Sequence, residues 1–223
     1  LIARRGTISR RAAADALWPD LEVEAQANNL RVTLSYLQKV LEPERTRHEV
    51  AYHVRADGAS LRFAGRPSWT IDVEEMEIAL DAAEGDDRRG ASSAALDGYL
   101  AAIDWYRGPF LDDVELGASD EIEQDRLRSR YVGALIRAGG LLVAVDRIEE
   151  AQRLAVAAQA ADPWSDAALC LQTECYLAKG DRAAALRSHR RAKDLIEELD
   201  LPPSPTLERL GRTLVTSGVR PQM

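Results

Sequence analysis

The most specific chemical pattern in this chain lies between Asn28 and Lys39. Asn28, Val32, Ser35 and Lys39 recur at intervals of three and four, with Arg31 and Tyr36 beside them, so a helix places them on one face. Leu30, Leu34, Leu37 and Leu41 form an apolar stripe on the opposite face. Asn, Arg and Ser supply donors and acceptors of the kind that base edges in a major groove require, and a cation such as Lys39 meets phosphate. Periodicity alone favours an ordinary amphipathic helix whose polar face is merely solvated.

Two further groups of side chains suit the same chemistry. Arg10 and Arg11 follow Ser9 at the start of a short helical pattern, where backbone N–H groups and guanidinium groups could jointly hold a phosphate. A solvated surface fits them as well. His53, Arg55 and Arg62 lie on two short alternating runs, from which a hairpin could bring them to a minor groove or its phosphates, although alternation turns some of them toward the helices.

No comparable pattern marks catalysis. The sequence has no G-x-x-x-x-G-K-[ST], no H-E-x-x-H and no G-x-S-x-G, and His48, His53 and His189 have no clustered partners. Cys170 and Cys175, five apart in a helical pattern, match neither a redox pair nor a zinc set and read as buried, reduced thiols. The expectation is therefore no enzyme, no cofactor and no metal.

These residues need elements to position them. Leu1 to Arg5 reads as a helix tail, Gly6 as its left-handed cap and Thr7 to Ser9 as a turn. Ser9 is a good N-cap for a helix from Arg10 to about Leu17, apolar at Ala13, Ala16 and Leu17, with Trp18 packing at the junction before Pro19. A second helix runs from about Glu24 to Leu41. Ala51 to Arg55 and Ser60 to Phe63 read as strands around the hairpin signal Asp57-Gly58. Helix, turn, helix, hairpin is the order of a winged helix.

From Asp72, an expected N-cap, the pattern is helical, with breaks at Gly85 to Gly90, Gly108-Pro109, Gly139-Gly140, Asp162-Pro163, Gly180 and Pro202-Pro203. Leu142, Ala144, Ala151 and Ala158 align with Tyr176, Ala178, Ala185 and Ala192 at a spacing of 34, the tetratricopeptide period. Small residues at Ala151 and Ala185 let paired helices approach closely. Trp105, Tyr106 and Phe110 read as a packed helix corner, as does Trp164. Glu121, Glu123, Asp125, Arg126, Arg128 and Arg130, and the basic Arg187, Arg190, Arg191 and Lys193, read as solvated faces.

The fold class is thus mainly α: a truncated winged helix-turn-helix over residues 1–66, then an all-helical tetratricopeptide-like domain over 67–223, with the boundary near Gly65 to Ser68. Charge divides at the same place. Through Arg66 the chain carries eleven Lys and Arg against eight Asp and Glu, net +3, whereas the remainder carries 18 and 29, net −11. A nucleic-acid-facing module joined to an acidic partner-facing module has this asymmetry. No run approaches the length of a membrane span and the opening residues lack signal-peptide order, which points to a soluble, cytoplasmic, nucleoid-associated protein.

Asp15-Ala16-Leu17-Trp18-Pro19-Asp20 and Asn28 to Leu37 resemble the DNA-binding part of regulators carrying a bacterial transcriptional activator domain, among them the Streptomyces antibiotic regulatory proteins. Tyr106-Arg107-Gly108-Pro109-Phe110-Leu111, Gly180 to Leu186, and Glu197-Glu198-Leu199 followed by Pro203-Ser204-Pro205 are similar to the same family. The resemblance implies that Arg31, Ser35 and Tyr36 occupy base-contacting positions and Thr33 and Lys39 backbone-facing ones, while Tyr36 and Gln38 stand where relatives often have Arg. It also implies that an N-terminal sheet and most of a first helix are missing here. The implied partners are double-stranded DNA, RNA polymerase, a second copy, or other domains of a longer parent chain. A second reading stays open, in which the chain is a helical adaptor whose partial winged helix does not bind DNA.

Overall fold

The computed structural model describes residues 6–46, 48–64, 69–112 and 118–216. The chain divides into two compact units, Leu1–Glu74 and Glu75–Met223. The expected helix tail at Leu1 to Arg5 and the linker at Gly65 to Ser68 lie outside the described residues.

In the first unit the order is β1 (Thr7–Ser9), α1 (Arg10–Leu17), α2 (Val23–Leu41), β2 (Val54–Asp57) and β3 (Ser60–Phe63). The strands form one antiparallel sheet in the order β1-β3-β2. Thr7 to Ser9, expected as a turn, is a strand, because Ile8 has an apolar place to fill opposite Leu61. Ile8, Ala13, Ala14, Leu30, Leu34, Val54, Leu61 and Phe63 make the core, with Trp18, Leu41 and Ile71 packed against it. The core face of α1 is Ala13 and Ala14; Ala16 and Leu17 are exposed. Leu37, expected in the buried stripe of α2, is likewise exposed. The hairpin strand begins at Val54 rather than Ala51, and the register Asp57↔Ser60 leaves a two-residue loop with Gly58 at φ 54°.

The second unit contains α3 (Asp72–Arg88, its first residues in the first unit), α4 (Ser92–Trp105), α5 (Ala118–Ala144), α6 (Ile148–Ala161), α7 (Asp166–Ala178), α8 (Arg182–Glu198) and α9 (Pro205–Thr216). Helices α5 and α6, and α7 and α8, pack as pairs, and α5 also meets α7 as α7 meets α9. Ala151, Ala158, Ala185 and Ala192 are fully buried at these crossings, while Ala144 and Ala178 are exposed. Gly85 and the pair Gly139-Gly140, expected as breaks, lie inside α3 and α5. A Cβ at Gly139 would run into Leu171 Cδ2, so that glycine permits a close approach to α7 rather than ending α5.

The 34-residue spacing extends to the turns. Arg147 N–H donates to Leu142 O and Asp181 N–H to Tyr176 O, both at 2.9 Å, and the residues before the donors, Asp146 and Gly180, have φ of 62° and 75°. Each is a left-handed helix cap that starts the next helix within two residues. Asp146 pays the Cβ penalty that Gly180 avoids. Asp146→Gly should therefore stabilise the second unit by roughly 0.5–1 kcal/mol, read as a raised denaturation midpoint; a lowered midpoint would contradict the cap.

Helix α3 is tied to α5 by charge. Arg126 pairs with Glu77, Arg130 Nη2 lies 2.7 Å from Asp81 Oδ1 and 3.1 Å from Glu84 Oε1, and Arg137 grips Asp87. The Arg137 hydrogen bond holds the Asp87 carboxyl below its ordinary range despite burial. Arg126 and Arg130, expected on a solvated face, thus join two helices, whereas Arg187, Arg190, Arg191 and Lys193 are exposed. Tyr106 stacks on Tyr131 at 3.9 Å in the expected corner, but Trp164 is 55% exposed. Cys170 and Cys175 are free and buried, and burial pushes their thiols up to about 12 and about 11.

Candidate nucleic-acid interface

Helix α2 is anchored by Leu30 and Leu34 and by two glutamines that periodicity does not single out. Gln26, 6% exposed, donates from Nε2 to Trp18 O at 2.8 Å and so fixes the α1–α2 turn. Gln38 Nε2 donates to Val54 O at 2.8 Å, fastening the second half of α2 to β2. Its Oε1 accepts from Arg45 Nη2 at 3.3 Å. A residue in that position serves the scaffold, which accounts for an amide there in place of an exposed cation.

The outward face of α2 carries the residues expected on it. Asn28, Arg31, Val32, Ser35, Tyr36 and Lys39 are all exposed, Tyr36 at 68%, and so is Thr33, the position implied by resemblance alone. Asn28 Oδ1 accepts from Arg31 Nη2 at 2.5 Å, which orients the guanidinium along the helix. Arg31, Tyr36 and Lys39 have no carboxylate partner among the described residues.

The hairpin presents a second cationic element. Arg55 and Arg62 are directly opposed in the β2–β3 register and both exposed, with Arg55 Nε donating to Ala51 O at 3.2 Å and its guanidinium 5.9 Å from the Tyr52 ring centroid. Like charges facing each other across a ladder are unfavourable unless an anion lies between them. His53 is engaged elsewhere. Trp69 Nε1 donates to His53 Nδ1 at 3.1 Å, and the ring is flanked by Tyr52 and Trp69.

The phosphate pocket expected at the start of α1 is partly consumed by the fold. Arg10 N–H donates to Ala59 O at 2.8 Å and Ala12 N–H to Ser9 Oγ at 3.0 Å. The Arg11 side chain is free in solvent apart from a 3.8 Å ion pair with Asp15. Any anion there would meet side chains more than backbone.

The loop from α2 to β2 is held by Glu42, which sequence patterning also misses. Its carboxylate accepts from Tyr52 N at 2.9 Å and His53 N at 2.8 Å and lies 3.4 Å from Arg45 Nε. Burial pushes this carboxyl up, but the His53 and Tyr52 N–H bonds and the nearby Arg45 and His53 outweigh it, so it sits below its ordinary range. Glu42→Ala should cost the first unit about 1–3 kcal/mol, seen as faster amide exchange over residues 51–63. Because the folded pKa is depressed, this contribution is present above the ordinary glutamate value and fades as pH falls through the folded one. The variant should lack that acid-dependent component; unchanged exchange would remove Glu42 as the clamp.

Among the described residues no group of His, Cys, Asp or Glu is arranged to hold a metal ion, and no helix is long and apolar enough to cross a membrane. No curated protein matches the chain. The solved structure of Mycobacterium tuberculosis EmbR in complex with a low affinity phosphopeptide is similar over 96% of this chain, at 20% identity and a TM-score of 0.77. The chain spans 56% of that one, and the likeness extends across both units, as the expected fold class requires. The Arabidopsis OM64 TPR domain is matched over 66% of this chain and 99% of its own, at 11% identity and a TM-score of 0.49. The family whose landmarks the sequence carries is also the one whose model matches, over residues 71–215, and the chain belongs to the bacterial transcriptional activator domain family.

Proposed function

We propose that the chain is a DNA-binding regulator of transcription in which α2 enters the major groove and the β2–β3 hairpin lies against neighbouring phosphates. The observation that carries this reading is the outward face of α2: Asn28, Arg31, Ser35 and Lys39 are all exposed on a helix whose other side is anchored in the core and bolted to the hairpin through Gln38. The opposed Arg55 and Arg62 support it, since a phosphate between them converts a repulsion into two attractions. In this reading residues 1–66 are the DNA-facing domain. Residues 67–223, net −11, face a second copy, RNA polymerase or further domains of a longer parent.

The test is selection of bound duplexes from a randomised pool, followed by titration of the selected and scrambled duplexes at several salt concentrations. One enriched sequence should emerge, with log K falling linearly in log salt as counterions are released. Failure to enrich any sequence, with no salt-dependent binding, would leave the helical adaptor as the better description.

A further inference from the structure

Val32 stands at the centre of the outward face of α2, 45% exposed and outside the core cluster. Three of its neighbours one helical turn away on that face, Asn28, Ser35 and Tyr36, carry hydrogen-bonding groups, and Arg31 beside it is directed by Asn28. A β-branched residue in an exposed helix interior gains nothing from helix propensity, and here nearly half of its surface is left open. Cations flank it, with Arg31 before and Lys39 after, so an anionic surface would complement this face. In the major groove of a duplex the apolar feature available to such a side chain is the C5-methyl of thymine.

We propose that Val32 is a specificity-determining residue that packs its γ-methyl groups on the C5-methyl of a thymine in the bound duplex. The proposal rests on the reading of α2 as the groove-entering helix. It adds that one position of the site is recognised by a methyl group rather than by a hydrogen bond.

Uracil tests this directly, because it keeps the base pair and removes only the methyl. Each thymine of the duplex selected by the full chain is replaced in turn by uracil, and binding is titrated for the unaltered protein, Val32→Ala and Val32→Thr. One replacement should weaken binding by the unaltered protein about fourfold, the worth of one buried methyl. Val32→Ala should lose a similar factor on the thymine duplex and become indifferent to that replacement, while Val32→Thr, with one γ-methyl, keeps part of the sensitivity. If no uracil replacement matters, or if Val32→Ala remains as sensitive as the unaltered protein, the assignment of Val32 is overturned while the reading of α2 stands. If the pool enriches no sequence, both fall.

Discussion

Gly98→Leu is expected to destabilise the helical unit by about 3 kcal/mol, the upper end of what overpacking a core costs. A Cβ at Gly98 would lie 2.9 Å from Ala83 Cβ and 3.3 Å from Ala83 Cα, so helices α3 and α4 touch through backbone and a methyl group there. Ala83 is fully buried, and Met76 and Leu80 on α3 and Ala95 and Ala102 on α4 have almost no exposure. No flexible side-chain end can swing aside. The helices must separate, which opens voids beside the residues that now fill them. Gly133→Ala is the internal control: nothing lies within 4 Å of its added Cβ, so the change should stabilise by up to about 1 kcal/mol through helix propensity alone. Denaturation midpoints shifted in opposite directions check both; a Gly98→Leu midpoint at or above that of the parent would refute the close crossing.

The second large effect concerns DNA. Arg31→Ala should lose discrimination at one base position by roughly 1–3 kcal/mol, because a donor aimed at a base edge rewards only the matching base. Lys39→Ala should weaken all duplexes alike and reduce the salt slope by about one, since a phosphate contact contributes counterion release and no sequence information. The Asn28–Arg31 bond gives the first lesion a corollary: Asn28→Ala should reproduce part of it by freeing the guanidinium to sample other directions. Titrations on matched and mismatched duplexes across salt separate the two classes. If both variants bind like the parent, α2 is not the reading helix.

Much of this surface is legible in the sequence because a helix that buries one side advertises the other. The spacing of Leu30 and Leu34 fixes which residues of α2 face outward, and all six placed there by that spacing are exposed. The alanines at a spacing of 34 likewise announce close helix crossings. What is not legible depends on partners far along the chain. Gln38 and Glu42 look like solvated helix-end residues until β2 and the 52–53 backbone are placed beside them. The ion pairs of Arg126, Arg130 and Arg137 join residues 46 to 50 apart, beyond any local rule. Gly139-Gly140 reads as a break because local propensity disfavours glycine in a helix, but the contact with Leu171 gives Gly139 a tertiary reason to stay. Thr7 to Ser9 is too short to show alternation, and its pairing partner lies more than fifty residues downstream.

The left-handed caps at Asp146 and Gly180 close each helical hairpin with a bond spanning only five residues. Most of the contacts that such hairpins make are near in sequence, so little chain entropy is spent in closing long loops before structure rewards it. The stacked pairs should consequently gain order by nearest-neighbour propagation, with a hairpin such as α7–α8 able to act as the seed and α9 added on its flank. The three-stranded sheet of the first unit has the opposite kinetics: β1 finds β3 only after α1, α2 and β2 have been traversed. In a chain emerging from the ribosome, β1 is thereby the strand that must wait longest for its partner.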